Sequence, residues 1–220
     1  MSKYNKEYVA QLFDGIATAK GLTGGRAVKP GHNIPQIAGQ IAFQRLRLKA
    51  KDVLFDVGTG TGEKAVRAAR ICRQVIGIDI SKKSLEMARK RASREGLNNV
   101  IFAYGAFEDP CGELDLTSYG VTKILAVYSL HHLPDSSKKE SLKALAKLLH
   151  RPGRIVIADI MFFDDPNKCR DQFDAVHYDG GDTDFPSRVE CLTRCLANLG
   201  ANVAVEKIHS LVGVIVADWV

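Results

Sequence analysis

The stretch VLFDVGTGTGEKA, from Val53 to Ala65, places glycines at 58, 60 and 62, alternating with threonines, directly behind an apolar run containing Asp56. Glycine at every second position leaves backbone N–H groups bare, so a ligand can approach the chain itself. A pyrophosphate-binding turn would read G-x-G-x-x-G. Here the third glycine comes one residue early and Glu63 follows it. Acids at 56 and 63 suit a ligand carrying positive charge better than a pyrophosphate. A second apolar run ends in Asp79, where a carboxylate can accept both hydroxyls of a ribose. The ligand these residues describe is a nucleoside joined to a cationic group, without phosphate. S-adenosylmethionine (AdoMet) has those parts.

A second group follows the run VTKILAVYS: Tyr128, Ser129, His131 and His132. Imidazole accepts and releases protons near neutral pH. Beside a methyl donor it can serve as base when the acceptor carries a proton that must leave. A turn in which one histidine packs or bonds the backbone is the other reading of HHLPD. Asp159, Asp164, Asp165 and Asn167 could bind Mg²⁺, but turn chemistry explains the Asp-Asp-Pro-Asn run equally well. No metal site is expected.

These groups need a scaffold that presents loop ends together. After residue 50, strand and helix patterns alternate. Strands are expected at 52–57, 74–79, 99–104, 121–129 and 154–162; helices at 63–72, 81–96, 135–153 and 187–200. The helix at 81–96 has Ser81 at its start and Gly96 at its end. The segments 201–208 and 211–219 read as a closing hairpin. Such alternation means a mostly parallel sheet covered on both faces, with ligands at the carboxyl ends of its strands. Residues 1–50 form a separate region, helical at 4–17 and 33–48, joined by the Gly-rich, basic connector 20–33 that reads as a lid. The loop 177–188 carries two adjacent glycines and several acids; His177, Tyr178 and Arg188 in it could face an acceptor.

Composition bounds the class. The chain has 220 residues, enough for one α/β domain. No apolar segment approaches the roughly 18 residues of a membrane span. The N-terminus lacks the pattern of a secretory signal. Five cysteines without a C-x-x-C pair fit reduced thiols, so a cytoplasmic setting is expected. Cys191 and Cys195 read as two small buried residues on one helix face. Residues 1–50 hold eight Lys/Arg against two Asp/Glu, as large an excess as the net charge of +6. That basic segment could attract an acidic substrate, RNA or a membrane surface, or simply be a solvated face.

The motifs FDVGTGTG, GIDIS, YSLHHLPD and RPGRIVIADI, in this order, resemble those of class I AdoMet-dependent methyltransferases. The style is that of small single-domain ubiquinone/menaquinone-type methyltransferases. The resemblance implies an α/β, Rossmann-like fold with a seven-stranded, mostly parallel sheet, a C-terminal antiparallel hairpin and helices on both faces. It implies an AdoMet-binding domain at 51–220, roofed by residues 1–50. Gly58, Gly60 and Gly62 would line the cofactor, with Asp56 and Thr59 near its methionine part, Asp79 on the ribose and Ile80 on adenine. Where the family often has an acid for the adenine amino group, this chain has Ala106, so the backbone, Phe107 or Glu108 would replace it. LFDGIATAKG resembles the family's entry segment, with Lys20 in place of an aromatic. A lysine there could pair with the cofactor carboxylate or point to water. Ser129 would border the cofactor, and His131, His132 and Tyr128 would face the acceptor. The expected reaction is in-line transfer of methyl to a small molecule. Alternatives are an RNA methyltransferase using the basic N-terminal segment, and a non-catalytic AdoMet-binding regulator. The acceptor atom and the oligomeric state are left open.

Overall fold

The computed structural model describes residues 4–20, 33–112 and 114–220. Residues 21–32 of the expected lid connector therefore lie outside the described residues, as does the side chain of Lys20. The described elements are α1 (Lys6–Lys20), α2 (Ile34–Arg45), β1 (Val53–Val57), α3 (Glu63–Ala69), β2 (Gln74–Asp79), α4 (Lys82–Arg94) and β3 (Val100–Tyr104). They continue with β4 (Lys123–Val127), α5 (Asp135–Leu148), β5 (Gly153–Phe162), α6 (Phe173–Val176), β6 (Ser187–Arg188), α7 (Val189–Asn198), β7 (Asn202–His209) and β8 (Val212–Trp219).

The sheet runs β3-β2-β1-β4-β5-β8-β7, and the two-residue β6 pairs with β5 off that path. β1 pairs in parallel with both β2 and β4, and its five residues are all buried. A strand covered on both faces has no solvent side, which is why VLFDV reads as continuous rather than alternating. β8 is antiparallel to both β5 and β7, giving the expected closing hairpin. The strand order reverses beside β1, with β2 on one side and β4 on the other. That switch point opens a crevice at the carboxyl ends of β1 and β4.

Two apolar layers flank the sheet. Phe55, Ile76, Ile124, Leu142, Leu145 and Ile157 belong to one. Leu54, Val75, Leu125 and Val156 belong to the other, which takes in Ala38, Ala42 and Phe43 of α2. Residues 34–45 are thus a working part of the helical layer. α1 instead docks on α4 by a side chain: Asp14 Oδ1 accepts the Ser81 hydroxyl (2.5 Å) and the Lys83 N–H (3.1 Å). Tyr4 completes the attachment by donating its hydroxyl to Glu108 Oε1 at 2.5 Å.

Several expected boundaries move. α3 ends at Ala69 and α5 at Leu148. The segment 163–176 holds a 3-10 turn (Pro166–Gln172) and the one-turn α6, which are too short to leave a period in the sequence. On α7, Cys195 is half-buried but Cys191 is exposed, which corrects the expectation of a buried pair. Their fourfold spacing is slightly over one turn, and only the inner edge of that stripe meets the core.

Candidate active site

The turn after β1 is built on backbone. The N–H groups of Gly58 and Thr59 both donate to the Ile78 carbonyl at 2.9 Å, so the chain curls over the end of β2. Gly58, Gly60 and Gly62 all have positive φ, a region that favours glycine. Their surroundings differ. A Cβ on Gly58 would lie 2.5 Å from the Ser129 Cβ, and one on Gly62 would lie 2.8 Å from the Ala88 Cβ and 3.0 Å from the Phe102 ring. A Cβ on Gly60 would meet nothing within 4 Å. Gly60 faces a cavity of about 590 Å³, whereas Gly62 is not among its lining residues. At Gly62, expected beside the ligand, the missing side chain makes room for α4 and β3.

Asp79 closes the turn from the other side. Its Oδ2 accepts the Gly60 N–H and its Oδ1 the Ser81 N–H, each at 2.8 Å. Burial raises its pKa, opposed by these backbone donors. Asp56 is buried beneath the turn and accepts the Thr59 hydroxyl at 2.7 Å. Burial pushes its carboxyl up to about 6, against the Thr59 bond and the Lys64 ammonium. Asp56, Gly58, Thr59, Asp79, Ile80, Ala106, Phe107 and Ser129 all border the cavity. Ser129 also donates its hydroxyl to the Val57 carbonyl at 3.2 Å, tying β4 to β1. From α1, Tyr8, Leu12, Phe13 and Ile16 form an apolar wall.

The other wall carries Tyr128, His131 and His132. Tyr128 leaves β4 with φ of 52°, an uncommon conformation for a bulky residue. Its buried hydroxyl has no hydrogen-bond partner, and its ring packs edge-on to His131 with centroids 5.9 Å apart. His131 and His132 sit on a 3-10 turn, Leu130–His132, held by Asp159. Asp159 Oδ2 accepts the N–H groups of Leu130 (2.8 Å) and His131 (3.2 Å), while its Oδ1 makes a short hydrogen bond to His131 Nδ1.

Asp184 comes from the loop after α6. Asp179 organises that loop by accepting the N–H groups of Gly181, Asp182, Thr183 and Asp184. The Asp179 N–H in turn donates to Asp184 Oδ2 at 3.1 Å. Asp184 Oδ1 then faces both imidazoles, 3.4 Å from His131 Nε2 and 3.0 Å from His132 Nδ1. Lys138 of α5 anchors the loop from behind: its buried ammonium donates to the Phe185 carbonyl and to Ser187 Oγ.

Burial would lower the His131 pKa, but Asp159 and then Asp184 outweigh it and raise the value to about 10. Asp159 and Asp184 thus bracket both nitrogens of this imidazole. Burial and the neighbouring His131 hold His132 below its ordinary value. His177 reaches the cavity, but Tyr178 packs instead on Phe162 and Phe173, and Arg188 is exposed on β6. Of the acids weighed for Mg²⁺, Asp159 lies behind His131, and Asp165 caps its own turn by accepting the Asn167 N–H. Sequence reasoning missed Asp184 and Lys138. The one available signal for Asp184 was the density of acids in its loop.

Comparison with known proteins adds to this geometry. Residues 48–199 match a family model described as a methyltransferase domain. A 27-O-demethylrifamycin SV methyltransferase from Amycolatopsis mediterranei is 36% identical over 124 residues, covering 55% of this chain and 43% of that protein. The chain spans less than half the length of the first curated relatives it matches. Among solved structures, magnesium protoporphyrin IX methyltransferase from Synechocystis PCC 6803 with bound SAH superposes with a TM-score of 0.69 at 16% identity, covering 98% of this chain and all of that one. A complex of DhpI with SAM and HEP gives the same TM-score and identity over the full length of both chains. At such identity these two likenesses concern the fold.

Proposed function

The chain belongs to the methyltransferase-domain family, and on that premise we propose that it transfers the methyl group of AdoMet to a small-molecule acceptor. The carrying observation is Gly60. Its bare backbone opens on the cavity while its N–H is held by Asp79, a half-buried carboxylate with lone pairs left for a ribose. Asp79 takes the ribose, Ile80 packs on adenine, and the cradle at Ala106 and Phe107 receives the far edge of the base. Asp56 and Thr59 serve the methionine end, whose ammonium would face a carboxylate. Ser129 and Gly58 border the sulfonium.

In the reaction a lone pair of the acceptor forms a bond to the methyl carbon. The sulfur–methyl bond breaks, and its electron pair neutralises the sulfonium to the thioether of S-adenosylhomocysteine. Alignment of the three atoms contributes much of the acceleration, and the reactive methyl is the cofactor's own contribution. Tyr128, His131 and His132 hold the acceptor, and the apolar wall of α1 excludes water from it. α1 roofs the site. The relatives that act on rifamycin and protoporphyrin substrates support a small molecule as acceptor.

Calorimetric titration with AdoMet and with S-adenosylhomocysteine tests the cofactor. A one-to-one isotherm for each is expected; absence of heat and of any thermal stabilisation by either compound would sink the reading. A screen of small molecules with methyl-labelled AdoMet then identifies the acceptor.

A further inference from the structure

We infer that His131, His132 and Asp184 form a binding site for one divalent transition-metal ion on the acceptor side of the cavity. Among the described residues, this is the one grouping of three His, Cys, Asp or Glu side chains whose ligand atoms converge, all within 4.8 Å of one another. His131 Nε2 and His132 Nδ1 stand 3.4 and 3.0 Å from Asp184 Oδ1. Ligands bound at about 2.1 Å to one ion are separated by roughly 3.0 Å at right angles and roughly 3.4 Å in a tetrahedron. Both observed separations fall in that range.

The cluster leaves one of its buried nitrogens unsatisfied. His132 Nδ1 is buried 3.0 Å from Asp184 Oδ1 without a well-formed hydrogen bond. The Tyr128 hydroxyl on the same wall is likewise buried without a partner. Buried polar groups are rarely left so. Two of the three ligands, moreover, are oriented from behind. Asp159 takes His131 Nδ1, which turns Nε2 inward. The Asp179 N–H takes Asp184 Oδ2, which leaves Oδ1 free to coordinate. Carboxylate-backed histidines of this kind are how metal ligands are fixed in tautomer and direction.

The donor set selects the ion. Two imidazoles and one carboxylate suit zinc, iron(II), cobalt or nickel, whereas Mg²⁺ and Ca²⁺ prefer oxygen alone. Three protein ligands leave coordination positions open toward the cavity. Resting on the methyl-transfer reading, the ion would fix an oxygen or nitrogen of the acceptor in line with the sulfonium. The acceptor class is then one with a metal-coordinating heteroatom.

The test uses chelator-stripped full-length protein without AdoMet, titrated with Co²⁺ and Zn²⁺. Expected are one site per chain, a visible Co²⁺ spectrum of nitrogen and oxygen ligation, and displacement of Co²⁺ by Zn²⁺. His132→Ala and the near-isosteric Asp184→Asn should each weaken binding by more than about 100-fold, and Asp159→Asn by about 10–100-fold. His150→Ala, at an exposed histidine, should change nothing. Circular dichroism identifies the folded variants, and Asp184→Asn decides if His132→Ala does not fold. Absence of stoichiometric binding, or equal binding by folded Asp184→Asn, would overturn the site. AdoMet calorimetry on the same preparations reports separately on the methyl-transfer reading.

Discussion

The Gly60 N–H donates to Asp79 Oδ2 over 2.8 Å, joining the turn after β1 to the end of β2. One carboxylate therefore shapes the glycine turn and presents its remaining lone pairs to the cavity. Asp79→Ala should weaken AdoMet binding by about 2–3 kcal/mol, the scale of a charged hydrogen-bond site lost. Calorimetry on folded protein measures this; unchanged affinity would move the ribose elsewhere.

Gly60 and Gly62 should respond differently to the same replacement. Gly60→Val projects into the cavity and should abolish AdoMet binding in a protein that remains folded, its stability cost limited to the positive-φ strain that Gly62→Val shares. Gly62→Val forces a side chain against Ala88 and Phe102 at positive φ, an overpacking that costs about 1–3 kcal/mol of stability. Denaturant melts and AdoMet titrations on both variants separate the two effects. Equal loss of stability would refute the distinction.

Asp56 gives a pH signature. Its folded carboxyl holds its proton up to about 6, against 3.8 for the ordinary group. Stability from this proton is present below about pH 4 and is lost as pH rises through about 6, by roughly 3 kcal/mol. Thr59, Lys64 and Asp79 are the groups that modulate it. Asp56→Asn should therefore be more stable than the parent at pH 7 and not at pH 4. AdoMet affinity should fall as pH drops below about 6, because a neutral carboxyl no longer faces the ammonium. A parent protein whose affinity is flat from pH 5 to 8 would remove Asp56 from that contact.

Lys138→Met should loosen the loop that carries Asp184, since Phe185 O and Ser187 Oγ lose their common donor. The expected cost is about 1–3 kcal/mol, with faster amide exchange over 179–188 and unaltered AdoMet affinity. Exchange rates equal to the parent's would show that the ammonium does not anchor the loop.

The sheet was legible because buried parallel strands leave unbroken apolar runs, and β1, β2 and β5 fall where those runs lie. The Gly58–Gly62 turn and Asp79 were legible for a related reason: strand ends in such sheets meet at the switch point. Asp184 was not, because it reaches His132 across 52 residues through a turn that only the Asp179 hydrogen bonds define. Lys138 sits in a run of charged residues that reads as a solvated face, yet it is 2% exposed, because β6 covers it. The division of labour between Gly60 and Gly62 depends on Ala88 and Phe102, whose proximity no local spacing announces.

Asp14 links α1 to the first turn of α4, and Tyr4 links the residues before α1 to Glu108, so α1 is stitched across both edges of the cavity end that holds Asp79, Ile80 and Glu108. On the proposed function, a spent nucleoside leaving along that side would have to break those bonds. Residence time of S-adenosylhomocysteine would then be governed by the peeling of one helix, not by the strength of the ribose contacts. Asp14→Ala and Tyr4→Phe should shorten that residence several-fold. In stopped-flow release experiments they should act on the dissociation rate even where chemistry at the methyl group is untouched.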